Sequence, residues 1–136
     1  MTAESPRAVF RAKPWSGAVE AARLFSARVM RRWSLGQAEE RVTAIIAELV
    51  ANAVEHAGTD VEVRLSRNGE VRIEVADHDP APPVMRMPDP LEEGGRGMII
   101  VDRYSTQWGT DRAGKGKTVW AEVDVRPAPF SSAPAL

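Results

Sequence analysis

The sequence predicts an α+β domain, a two-layer sandwich of helices on a mostly antiparallel sheet. Three observations point there. Two long amphipathic helical patterns come early, between residues 17 and 56. Short alternating segments bounded by turn residues follow them. The two kinds of pattern sit in separate blocks instead of alternating along the chain, as expected when helices segregate to one face of an antiparallel sheet. At 136 residues there is room for one hydrophobic core. Residues 1–125 are assigned to that domain, and the Pro/Ala/Ser-rich residues 126–136 to a disordered tail.

Arg7–Ala12 alternates and reads as a leading edge strand stopped by Pro14. Ser16 is the expected N-cap of a helix from Gly17 to Trp33, with Val19, Ala22, Leu24, Phe25, Val29 and Met30 as its apolar residues. Gly36 is expected to break the chain. A second helix is predicted over Gln37–His56, striped by Val42, Ile45, Ile46, Leu49 and Ala53 and ended by Gly58 at C′. Val61–Leu65 and Val71–Ala76 read as strands joined by a hairpin turn at Arg67–Glu70. Asp77–Gly95 lacks periodicity and carries five of the ten prolines, which predicts a long, stiff, functional loop. A short helix opens after Gly97 and ends near Tyr104. Thr106–Thr110 and Thr118–Val125 are the last two strands, flanking a Gly/Lys turn.

Composition excludes several functions. The net charge is −1, from 18 basic and 19 acidic residues, so no basic excess points to nucleic acid or an anionic membrane. Lys stands only at 13, 115 and 117; the other basic residues are Arg, a bias that fits a high-GC genome. There are no cysteines, which removes disulfides, thiolate metal sites and a thiol nucleophile. No run approaches the roughly 20 apolar residues of a membrane span. A soluble, cytoplasmic protein is the expectation.

Three groups of residues carry candidate chemistry. Glu48 and Asn52 lie one turn apart on the second helix, with Glu55 nearby, at one edge of the apolar stripe. A carboxylate and a carboxamide there suit Mg²⁺ and water, since hard cations take oxygen ligands; a solvated polar edge is the alternative. Asp77 ends a strand, placed either to accept from an exocyclic amine or to form a turn. Gly94-Gly95-Arg96-Gly97-Met98 opens an apolar helix, whose free N–H groups suit phosphate; such turns also occur where nothing binds. Gly109 to Lys115 has P-loop spacing, but Gly116 follows where Ser or Thr belongs, so a hairpin tip is expected. His56, Asp77, His78 and Asp79 match no zinc spacing. Two histidines and no cysteine leave no nucleophile–base pair.

In this order, the helix with Glu48-x3-Asn52, the strand ending at Asp77, the long loop, the Gly95-Arg96-Gly97 helix start and the final strand with Thr118 resemble the GHKL superfamily. The resemblance covers residues 17–125 and implies a Bergerat-type ATP-binding fold. The chain is similar to the stand-alone anti-sigma-factor serine-kinase branch, in its short actinobacterial form. The resemblance implies ATP and Mg²⁺ as cofactors, Glu48 as general base and Asn52 as Mg²⁺ ligand. It implies Asp77 as acceptor from the adenine amine with Thr118 supporting it, and phosphate at Gly95, Arg96, Gly97 and Met98. It also implies a sigma factor and an anti-sigma-factor antagonist as partners, and a homodimer. One departure is plain: Asp77-His78-Asp79-Pro80-Ala81 replaces Asp-x-Gly-x-Gly, losing both glycines and one N–H donor and adding a negative charge. Two functions therefore compete, a serine kinase and a non-catalytic partner-binding module; a fragment of a sensor histidine kinase is disfavoured.

Overall fold

The computed structural model describes residues 6–79 and 97–126. Strand β1 (Arg7–Ala12) precedes helices α1 (Ala18–Arg32) and α2 (Glu39–Asn52). Then come β2 (Val61–Asn68), β3 (Glu70–Asp77), helix α3 (Gly97–Tyr104), β4 (Gln107–Ala113) and β5 (Gly116–Val123). The five strands form one sheet in the order β1-β2-β3-β5-β4, every pairing antiparallel. The α+β two-layer sandwich is as the sequence predicts.

Alternation decides the faces, because successive side chains on a strand point to opposite sides. Val61, Val63 and Leu65 on β2, Val71, Ile73 and Val75 on β3, and Val119, Ala121 and Val123 on β5 are all buried beneath the helices. The opposite face is polar. There Arg72 pairs with Glu74 and Glu122 and lies 4.5 Å from the ring centre of Trp120. Helix α1 buries Ala18, Ala22, Ser26, Val29 and Met30, and α2 buries Val42, Ile45, Ile46, Leu49 and Val50. Phe25 of α1 meets Phe10 of β1 at 5.4 Å between ring centres, holding the edge strand under the helix.

Helix ends account for two corrections. The N-cap of α1 is Gly17, with no side-chain cap bond, and not Ser16. The chain leaves α1 at Ser34, two residues before Gly36. Ser34 takes φ 59°, while its N–H donates to Arg31 O and that of Leu35 to Met30 O. These two bonds close a Schellman-type end with serine in the left-handed position. Gly36 instead starts a short 3₁₀ turn, Gly36–Ala38, leading into α2. Gly58 does close the second helix as expected, at φ 64°.

Candidate functional site

Helix α2 passes without a break into a π-turn, Ala53–Ala57, of the kind that recurs at functional sites. Gly58 to Asp60 then lead directly into β2. Because β2 and β3 are antiparallel, with Glu62 opposite Ala76, the end of α2 and the end of β3 lie at the same end of the molecule. The His78 backbone N–H donates to Thr59 Oγ1 at 3.0 Å and ties the two together.

Glu48 and Asn52 are both half-buried on α2. Burial pushes the Glu48 carboxyl up from its ordinary value of 4.5, and the nearby charge of Glu55 pushes it further. Asn52 donates from Nδ2 to the sulfur of Met98 at 3.5 Å. Met98 is buried at the first turn of α3, so this contact sets the Glu48/Asn52 face of α2 beside the N-terminal end of α3. Gly97 starts α3 as predicted, whereas Gly95 and Arg96 lie outside the described residues. Among the described residues no group of three or more His, Asp or Glu could hold a metal by itself.

Asp77 ends β3 on the core face, and its position across the sheet is filled by Lys117. Lys117 Nζ stands 3.0 Å from Oδ2 and 3.2 Å from Oδ1 of Asp77, and 3.1 Å from the carbonyl oxygen of Asp79. The Asp79 N–H adds a 2.8 Å bond to Oδ1. Both side chains are nearly sealed, 3% exposed for Asp77 and 7% for Lys117. Thr118 pairs with Ala76 on the other face, so the register separates it from the Asp77 carboxylate it was expected to support. Lys117 is the residue the sequence reading missed. Counting back in twos from the buried Val123, Ala121 and Val119 puts it on the core face, but the predicted strand began at Thr118.

Two other expected features have plainer places. Gly114 and Lys115 form the tip of the β4–β5 hairpin and Gly109–Ala113 lie in β4, so the Gly109–Lys115 spacing belongs to a strand and its hairpin tip, as expected. His56 is exposed in the π-turn and His78 is exposed after β3. A cleft of about 460 Å³ at this end of the sheet is lined by Arg11, Lys13, Asp60, Glu62, Asp77 and His78, and by neither Glu48 nor Asn52. No helix among the described residues is long and apolar enough to cross a membrane.

The fold is similar to a solved structure of the RsbU and RsbW domains of Rv1364c from Mycobacterium tuberculosis. The TM-score is 0.66 at 18% identity, over 90% of this chain. This chain spans about a third of that one, 34% of its length. In sequence it is 31% identical over 83 residues to the uncharacterized protein SCO4941 of Streptomyces coelicolor, covering 57% of this chain and 79% of the relative. The profile of the histidine kinase-like ATPase domain matches residues 10–123, from within β1 to the end of β5. The chain belongs to the histidine kinase-like ATPase domain family, within the GHKL superfamily.

Proposed function

We propose that this chain is an ATP-binding, anti-sigma-factor-like protein serine kinase that acts in the cytoplasm and regulates transcription by switching partners. The observation that carries the reading is the contact from Asn52 to Met98, which sets an acid–amide pair beside the start of a helix. Helix N-termini favour anions, so phosphate held at Gly97 and Met98 would lie beside Asn52, with Gly95 and Arg96 completing the phosphate-binding set in this reading. The donor chemistry fits Mg²⁺. That ion takes few protein oxygens and completes its shell with phosphate and water, and the Asn52 carbonyl oxygen is the protein ligand in this reading. When bound, Mg²⁺ would neutralise charge on the phosphates.

Glu48 would act as general base. It accepts the proton of a serine hydroxyl as that oxygen attacks the γ-phosphorus, and the bond to the ADP oxygen breaks with its electron pair on ADP. A carboxyl raised by burial is a better proton acceptor than an exposed one. The antagonist protein bearing the serine, the sigma factor and a homodimer enter this reading from the family resemblance.

The second reading, a partner-binding module with a weakened nucleotide site, is favoured by one observation: the Asp77 carboxylate is already bonded to Lys117. Calorimetric titration with ATP, with and without Mg²⁺, separates the two. Micromolar, Mg²⁺-dependent binding is expected of the kinase, together with a slow ATP hydrolysis that Glu48→Ala abolishes while binding persists. Equal loss of binding and hydrolysis in Glu48→Ala would make Glu48 a structural residue. No binding by the folded protein would leave the partner-binding module.

A further inference from the structure

The start of β5 is pressed unusually close to the end of β3. A Cβ on Gly116 would stand 1.9 Å from the Asp77 carbonyl oxygen and 2.8 Å from His78 Cα. The next residue, Lys117, is thereby held against Asp77, and its three ammonium protons meet three acceptors: Asp77 Oδ1, Asp77 Oδ2 and the Asp79 carbonyl oxygen. No donor is left on the lysine to read a base. Asp77 is likewise occupied, with Lys117 on both oxygens and the Asp79 N–H on Oδ1. The pair is charge-balanced and buried.

The chemistry Lys117 presents to Asp77 is that of an amine donating N–H to a carboxylate. An exocyclic amine of adenine would present the same. We propose that Lys117 is an internal occupant of the base-recognition carboxylate, so that the chain rests with its nucleotide site closed by its own side chain and a nucleotide enters only as Lys117 is displaced. This rests on the nucleotide-binding reading of Asp77 given above. It makes Lys117 the residue that sets how tightly this chain holds a nucleotide.

Lys117→Met tests it, because methionine keeps most of the stem and removes the ammonium. Removing a positive charge near a polyphosphate site would ordinarily weaken ATP binding. Displacement of an internal competitor predicts the opposite sign: calorimetry with Mg·ATP should show at least about tenfold tighter binding than the parent, since tenfold corresponds to about 1.4 kcal/mol. The variant leaves a buried carboxylate without its counter-ion and will melt lower, with ATP restoring more of that loss than it adds to the parent. Should it fail to fold, Asp77→Asn/Lys117→Met removes both charges while keeping a carbonyl that accepts from an amine, and it too should bind more tightly than the parent. Parent and folded variant binding with equal affinity, or the variant binding more weakly, overturns the internal occupant and leaves the nucleotide site standing. No binding of Mg·ATP by any of the folded proteins overturns both.

Discussion

Gly116→Ala probes the same corner of the sheet through stability. The added methyl would stand 1.9 Å from a backbone oxygen and 2.8 Å from a backbone Cα, and neither can rotate away as a side chain would. Relief requires β5 to move off β3 by more than 1 Å at this end, given ordinary carbon–oxygen contacts of about 3.2 Å or more. Overpacking of this kind costs about 1–3 kcal/mol. The same shift pulls Lys117 from Asp77, and opening a buried ion pair costs several kcal/mol when a charge is left unpaired. A total of about 3 kcal/mol or more follows. For a chain of 136 residues that is a fall in Tm on the order of 10 °C. Gly36→Ala is the control: nothing lies within 4 Å of its Cβ position and its φ is not positive, so it should change stability by less than about 0.5 kcal/mol. Urea unfolding of both variants beside the parent gives the numbers. A Gly116→Ala midpoint equal to that of the parent would refute the close approach of β5 to β3, and with it the placement of Lys117.

Two further outcomes follow from carboxylates. Glu48 is raised by burial and by Glu55, so the folded protein binds its proton more readily than the unfolded chain, and stability falls as pH rises through the raised value. Glu48→Gln should therefore be more stable than the parent at neutral pH, with the gain vanishing below 4.5; an unchanged difference across that range in pH-dependent thermal melts would refute the burial of this carboxyl. Asp124 is held down to about 2, chiefly by side-chain hydrogen bonds from Arg126 and then by the Arg126 backbone N–H. Its carboxyl carbon in an NMR titration should move only near pH 2, and in Arg126→Ala it should move well above that; identical curves would contradict the pairing.

Much of the fold is legible in local pattern. The alternation of Arg7–Ala12 marks β1 to the residue, the stripe from Val42 to Ala53 marks the helix carrying Glu48 and Asn52, and Gly58 marks where it ends. These are short-range signals, in which side-chain period and backbone preference act within a few residues. Even so, the residue that turns the chain out of α1 is Ser34 and not Gly36, because serine takes the left-handed position that glycine usually fills.

The site divides along the same line. The chain order of Glu48, Asn52, Asp77 and Gly97 is a property of the sequence, and so is the family it points to. What Asp77 faces was decided by the tertiary structure alone. Counting in twos from Val119 puts Lys117 and not Thr118 on the core face, but says nothing of which β3 residue either one meets. Only the β3–β5 register settles it, by setting Lys117 opposite Asp77 across 40 residues of chain. A one-residue shift in register would exchange the two. Strand pairing between distant segments is fixed by packing the whole sheet against the helices, and that is where the lysine acquired its place on the carboxylate.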